Sequence, residues 1–180
     1  PFATDTLTAP EANPWLAQTR FTGLDFMPDG RIVVCSWDGD VWMVETTGSN
    51  LKWRRIASGM FQPLGIKVIS GKIHVTCRDQ LTILHDLNGD GETDFYQCLN
   101  SDHQVTEHFH EFAMGLQVDA EGNFYYAKGA PWEPKVESPH QGTLLKVSPD
   151  GKKLEVFATG LRAPNGMTVG PDDTVLVSDN

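Results

Sequence analysis

The chain has 180 residues, 39% of them hydrophobic and 21% charged, with 17 glycines and 11 prolines, which is typical of a globular protein rich in turns. Its net charge of −10 argues against nucleic acid or an anionic membrane as the main partner, because both select for clustered lysine and arginine. No apolar run approaches the roughly 18 residues that span a bilayer, so we expect no membrane insertion.

The first 20 residues carry no sustained periodicity. Residues 9–18 have room for a single helical turn, but prolines interrupt the segment. We therefore interpret residues 1–20 as an irregular lead-in that packs Trp15 onto the first repeat.

From residue 21 onward the chain repeats a strand-turn-strand pattern. Each repeat opens with a glycine and an apolar residue, continues through a turn, and enters a run rich in β-branched and aromatic residues. The opening glycines are Gly23, Gly65, Gly115 and Gly166. The second strands start at Arg31, Lys72, Asn123 and Thr174, which lie 41, 51 and 51 residues apart. This spacing is close to the period of a propeller blade, about 40 to 50 residues.

Third and fourth strands follow in each complete repeat, for example residues 40–45 and 52–58 in the first. Four antiparallel strands repeated radially predict an all-β fold, a β-propeller. The predicted blades cover residues 21–64, 65–113 and 114–165, with an incomplete one at 166–180. Because propellers close at four to eight blades, and closure removes exposed sheet edges, we expect about three and a half blades of a six-bladed parent.

Blade topology predicts which loops share a face. The connectors that precede each first strand, and the loops between second and third strands, are expected on one side of the propeller, here named the top face. Connector residues predicted there are Arg20, Gln62, His108, His110, Arg162 and Asn165. The predicted top loops are 37–40, 78–80, 128–142 and 179–180. Propellers place their ligand sites around this mouth of the central channel.

Residues 86–94, D-L-N-G-D-G-E-T-D, resemble the opening of an EF-hand loop on the opposite, bottom face. The predicted calcium ligands are Asp86, Asn88, Asp90, Glu92 (through its carbonyl) and Asp94. Gln97 replaces the usual bidentate glutamate at the twelfth position, which predicts reduced affinity. The alternative is a carboxylate-rich turn without metal.

Histidines cluster just before the third repeat. His108 and His110 are two residues apart, which on a strand would place both rings on one side, where Glu107 and Glu111 could orient them. A metal site, a single histidine acting as general base, and histidines that merely bind loop carbonyls all fit this pattern.

Residues 110–129, H-E-F-A-M-G-L-Q-V-D-A-E-G-N-F-Y-Y-A-K-G, resemble the glucose/sorbosone dehydrogenase family of six-bladed propellers that use pyrroloquinoline quinone. The resemblance implies a histidine base acting on a sugar hydroxyl while hydride passes to the quinone. His110 falls near the position of that base. Four residues separate His110 from Gly115, more than the family usually has, so the alternatives are that the match belongs to His108 or to neither histidine. Arg78 and Lys128 are predicted to face the quinone's carboxylates and carbonyls.

Residues 160–180 resemble the gluconolactonase and regucalcin family, in which the asparagine of P-N-G binds a catalytic divalent metal. Asn165 would then be a ligand, although Thr22 stands where that family has a glutamate. Three functions therefore remain open: a quinone-dependent sugar dehydrogenase, a metal-dependent lactone hydrolase, and a non-catalytic propeller that binds carbohydrate or protein. Trp37, Phe112 and Trp132 suit sugar stacking in each.

The first resemblance also implies a partner and a location. Related propellers are secreted proteins with a fused cytochrome domain, so we expect an extracytoplasmic (periplasmic or secreted) protein. Its predicted partners are a small carbohydrate and either a cytochrome domain or the remainder of the propeller.

Three cysteines, Cys35, Cys77 and Cys98, are too widely spaced for a metal knuckle or a haem attachment motif. We expect buried free thiols, with one disulfide and one leftover thiol as the alternative.

Overall fold

A computed structural model describes residues 2, 4, 6–48, 50–132 and 138–180, and these form strands, turns and loops without any helix. The strands are β1 (Phe21–Phe26), β2 (Ile32–Ser36), β3 (Val41–Thr47), β4 (Asn50–Ala57), β5 (Gly65–Ile69), β6 (Lys72–Thr76), β7 (Leu81–His85), β8 (Phe95–Asn100), β9 (Ala113–Val118), β10 (Phe124–Lys128), β11 (Thr143–Val147), β12 (Leu154–Thr159), β13 (Gly166–Val169) and β14 (Val175–Ser178). No membrane-spanning helix occurs in this part of the chain.

The strands pair in chain order. Three four-stranded antiparallel sheets, β1–β4, β5–β8 and β9–β12, are followed by the hairpin β13–β14. The predicted all-β architecture, a partial propeller of four-stranded antiparallel blades, is confirmed. The sheets are named blades 1, 2 and 3 below, and the hairpin is the half blade.

Hydrophobic layers fill the spaces between successive blades. Val33, Val41 and Cys35 of blade 1 pack with Ile66 and Val75 of blade 2. A second cluster joins blades 2 and 3, and a third joins blade 3 to the half blade. Strand β10 is therefore buried on both faces along its whole length. Each blade is stabilised mainly by its neighbours, as in other repeat architectures.

The opening glycines allow first strands of adjacent blades to approach closely. A Cβ on Gly65 would overlap the backbone of Gly115, whose amide donates to the carbonyl of Leu64 at 3.1 Å. A Cβ on Gly23 would lie 3.2 Å from Sγ of Cys35 and 3.3 Å from the amide nitrogen of Ile66. The repeated glycine thus marks the crowded axis of the fold.

Two first strands begin earlier than their glycines. We predicted starts at Gly23 and Gly115, whereas β1 starts at Phe21 and β9 at Ala113. In both cases the register with the second strand shifts near the glycine, and Gly115 has φ +71°. A bulge therefore lets pairing continue upstream, which the glycine alone could not reveal.

The lead-in contains neither strand nor helix over residues 6–20. As expected, Trp15 contacts blade 1: its ring meets Trp42 edge-on at 5.8 Å, and the Arg55 guanidinium lies 4.1 Å from its centroid. This contact covers the outer side of β3 and β4.

All three cysteines are free. Cys35 and Cys77 are buried, as predicted, and burial raises the pKa of these thiols to about 11 and about 12. Cys98 is exposed, so the prediction of a buried thiol is wrong there. Its strand β8 is the outermost of blade 2, where alternation no longer implies a covered face.

Candidate active site at the top face

Backbone and side-chain contacts join the predicted top-face loops. The Trp37 amide donates to the Arg20 carbonyl at 2.9 Å, and the Ala130 amide donates to the Arg162 carbonyl at 2.8 Å. Between the blades, the ring centroids of Trp37 and Phe112 are 4.9 Å apart. Residues 133–137 of the predicted 128–142 loop lie outside the described residues.

His110 and Asn165, candidates from two different resemblances, line the same cavity. Its volume is about 270 Å³, and its other lining residues are Phe112, Met114, Gly129, Ala163 and Pro164. A neighbouring cavity of about 420 Å³ also includes Met114 and Asn165, and reaches Thr22 and Leu64 of blades 1 and 2. The sites predicted separately therefore form one region beside the first strands.

The His110 ring lies between two exposed aromatic side chains. Its centroid is 4.0 Å from those of Phe109 and Trp132, which are 65% and 63% exposed. Within the described residues, no hydrogen bond joins either ring nitrogen of His110 to another group. The imidazole is thus held by ring contacts while its nitrogens stay available for a ligand's proton.

His108 lies on the same turn, not on a strand as the two-residue spacing suggested. The two histidine ring centroids are 5.9 Å apart, and Nδ1 of His108 accepts the His110 amide at 3.3 Å. In the part of the chain that the structure describes, no three histidine, cysteine, aspartate or glutamate side chains are grouped to hold a metal ion. The geometry favours a single base over a histidine metal site.

Glu111 does not orient the histidines, contrary to expectation, because its side chain points inward. The carboxylate is 1% exposed and lies 2.8 Å from Nζ of Lys128. It also accepts hydrogen bonds from Thr106, and from Gln141 at 3.2 Å. Burial by itself would raise the pKa of Glu111, but these donors outweigh it, so the pKa lies below its ordinary value.

Lys128, predicted to bind a cofactor, is completely buried. Besides pairing with Glu111, its ammonium donates to the carbonyl of Gln104 at 2.6 Å. Burial lowers the pKa of Lys128, and the adjacent Glu111 carboxylate partly offsets this effect. The side chain thus lies beneath the loop that carries His110, not in the cavity.

Arg78, the other predicted cofactor ligand, is only 7% exposed. Its guanidinium donates to the carbonyls of His108 at 2.5 Å and Thr106 at 3.3 Å, and to Oε1 of Gln62 at 3.0 Å. It also lies 5.5 Å from the ring centroid of Phe112. Most of its donors are thus engaged within the protein.

His103 is a buried histidine that the sequence did not single out for a function. Its Nε2 lies 2.9 Å from the carbonyl of Arg78, and its Nδ1 lies 2.8 Å from the hydroxyl of Tyr126. Because a carbonyl only accepts, Nε2 carries the proton and Nδ1 accepts from the hydroxyl. Burial lowers the pKa of His103 to about 4, so the ring is neutral at physiological pH.

The predicted calcium loop lies between β7 and β8, on the bottom side. Asp86 accepts the amides of Gly89 at 2.7 Å and Gly91 at 2.8 Å, while Asp90 accepts the amide of Glu92 at 2.8 Å. Asp94 accepts the Leu87 amide at 2.7 Å. These bonds give the loop its curled form. Within the described residues, its carboxylates are not grouped as a metal site, so calcium binding stays a prediction from the sequence.

Alternation along β10 could have revealed where Lys128 points. Phe124, Tyr126 and Lys128 share one face of the strand, and the first two belong to the core between blades 2 and 3. A lysine in register with two core aromatic residues is expected to be buried and paired. Its partner Glu111 was not foreseeable, because it lies in an irregular connector.

Comparisons with known proteins identify the fold. Neither a family model nor a curated protein matches the chain. Among solved structures, a glucose dehydrogenase aligns over 87% of this chain and 56% of its own, with TM-score 0.71 and 15% identity. The quinone-binding domain of pyranose dehydrogenase from Coprinopsis cinerea aligns over 87% and 42%, with TM-score 0.69 and 13% identity. A protein assigned as a gluconolactonase aligns over 89% and 56%, with TM-score 0.67 and 14% identity.

This chain thus spans about half the length of the structures that it resembles. At such identities the likeness establishes the propeller fold, and the same fold carries different reactions. Structures of both enzyme types that the sequence resembles are among these neighbours.

Proposed function

We propose that this chain is part of a propeller that oxidises a sugar hydroxyl, with His110 as the general base. The observation that carries the proposal is the placement of His110 in the top-face cavity, flanked by Phe109 and Trp132, with both ring nitrogens free of partners among the described residues. Exposed aromatic rings suit the apolar faces of sugars, and a neutral imidazole can take the hydroxyl proton.

Pyrroloquinoline quinone, when bound, would accept the hydride. Its carboxylates require cations, and the described residues offer an exposed one at Arg162, whose backbone lies beside the lining residues Gly129 and Ala163. The sequence predicts Arg78 and Lys128 for this contact. Because both are buried and engaged, a direct contact would require the connector to open.

The test uses the full-length protein that contains this chain. Pyrroloquinoline quinone and calcium are added, and dye reduction is followed with a panel of aldoses. We expect quinone-dependent turnover that falls about 100-fold or more in His110→Gln, while quinone absorbance of the bound form is retained. His108→Gln removes the alternative base on the same turn, and we expect a smaller loss of turnover in it than in His110→Gln. Lack of quinone-dependent absorbance and turnover in the wild-type protein would refute the proposal.

A second candidate is hydrolysis of a sugar lactone at the same cavity. Asn165 favours it, since this exposed side chain lines both cavities at the channel mouth. A divalent ion held partly by Asn165 would activate water. However, Thr22, at the rim of the same region, donates its hydroxyl to the Pro63 carbonyl at 2.7 Å and supplies no carboxylate.

We also propose a structural calcium ion at residues 86–94 and an extracytoplasmic location with a cytochrome domain as electron acceptor. The first proposal is supported by the spacing of oxygen-bearing residues in D-L-N-G-D-G-E-T-D. The loop also contacts blade 1, where Arg54 binds Glu92 at 3.2 Å and the Thr93 amide donates to the Ile56 carbonyl at 2.8 Å. A calcium ion there would stabilise the contact between blades 1 and 2. Fractionation of cells that express the tagged protein tests the location.

A further inference from the structure

Two buried cations bind the inner side of the connector between β8 and β9, residues 101–112. Lys128, at the end of β10, holds the Gln104 carbonyl at 2.6 Å and the Glu111 carboxylate at 2.8 Å. Arg78, just beyond β6, holds the carbonyls of Thr106 and His108. Side chains from two neighbouring blades therefore bind one connector. His110 lies between His108 and Glu111, two of the residues that they bind.

Stability alone does not account for the Lys128–Glu111 pair. The side chains are 0% and 1% exposed, and removing two charges from water is costly even when they pair well. Apolar side chains of similar volume often stabilise a fold as well or better at such positions. What an ion pair adds is a specific geometry, because each donor has a defined acceptor.

We propose that Lys128 and Arg78 are positioning residues, which hold His110 in place for proton transfer without touching the substrate or cofactor. The inference rests on the proposed function, since it assigns His110 as the base. It also gives these two cations a contribution other than direct binding of the quinone.

The local backbone transmits this restraint to His110. The Arg78 contact fixes the carbonyl two residues before His110, and Lys128 fixes the side chain one residue after it. The His110 carbonyl accepts the Phe112 amide at 3.0 Å, and a Cβ at Gly129 would lie 2.6 Å from that oxygen. The turn is thus packed on both sides, so a shift of the Arg78 or the Lys128 contact would move the His110 imidazole.

The test compares three variants of the full-length protein. Lys128→Met leaves Glu111 buried without its cation, whereas Lys128→Met with Glu111→Gln removes both charges and retains an acceptor for Thr106. Lys146→Met is the matched control, because it removes a lysine from the adjacent strand of the same blade, at an ion pair distant from His110. Melting temperature, amide hydrogen exchange, quinone affinity and sugar turnover are measured for each.

We expect the single variant to melt below the double variant. In the double variant, exchange of the His110 and Phe112 amides should rise at least tenfold, and kcat should fall about 100-fold, as for a base displaced by about 1 Å. The Kd for pyrroloquinoline quinone should stay within about threefold, since the cations do not contact it. The Lys146 control should leave the exchange of these amides and kcat unchanged.

Unchanged amide exchange in the double variant would overturn the proposal. A quinone Kd that weakens as much as kcat falls would also overturn it, because that result indicates direct cofactor binding. If the wild-type protein has no quinone-dependent turnover, the proposed function fails, and the exchange measurement alone then decides whether Lys128 positions the turn.

Discussion

His103 makes the stability of this fold depend on pH in a defined window. The ring is 3% exposed, and burial lowers its pKa to about 4 from an ordinary 6.5. Between these values the unfolded chain binds a proton that the folded protein does not, so acid favours unfolding. Stability is therefore full above pH 6.5 and is lost as the pH falls toward 4.

The size of this effect follows from the two pKa values. Each pH unit below 6.5 lowers the free energy of unfolding by about 1.4 kcal/mol, until the folded state also takes up the proton near pH 4. The total attributable to His103 is thus about 3 kcal/mol, a large part of the stability of a typical domain. Lys128, Glu111 and His140 lie near the ring and influence its titration.

The perturbation is His103→Gln, since a glutamine amide can donate to the Arg78 carbonyl and its oxygen can accept from Tyr126. Urea unfolding of both proteins at pH 7, 5.5 and 4.5 gives the free energy of unfolding at each pH. We expect the wild-type protein to lose about 2 to 3 kcal/mol more than the variant between pH 7 and 4.5. Equal losses in the two proteins would refute the reasoning.

Three further predictions concern the axis, the calcium loop and the cavity. Gly65→Ala should destabilise the fold by about 3 kcal/mol in chemical unfolding, because its Cβ would overlap the Gly115 backbone. Gly170→Ala is the control, and it should cost less because Gly170 faces an exposed turn. Asp90→Ala should lower the melting temperature more with calcium than without it, because the variant loses calcium binding as well as the bond from the Glu92 amide, and equal shifts in the two conditions would reject the calcium site. If the lactonase alternative holds, Asn165→Ala should reduce both bound metal after dialysis and lactone hydrolysis, and unchanged values would exclude it.

Local patterns were sufficient to predict the strand order and the blade architecture. The repeated glycines, the turns and the β-rich runs depend on neighbours within a few residues, so the period survives in one sequence without any alignment. The structure adds that two of these glycines, Gly23 and Gly65, lie where first strands of adjacent blades approach closely. The strand starts at Phe21 and Ala113 were missed, because bulges depend on pairing with the second strand.

The candidate site was only partly predictable for a related reason. His110 and Asn165 were identified separately, 55 positions apart along the numbered chain, and only the packing of blade 3 against the half blade shows that they share a cavity. The orientation of Glu111 toward Lys128 depends on contacts between a connector and a distant strand, which carry no local signature.

The sequence by itself determined that this chain forms blades, because the alternation of strand residues and the turn chemistry are encoded locally. Only the tertiary structure decided which cations face inward, and that the His110 ring lines a cavity with its nitrogens free of partners among the described residues. Burial and pairing are set jointly by blades that are far apart in sequence, so a lysine that could bind a cofactor becomes one that holds the connector beneath His110.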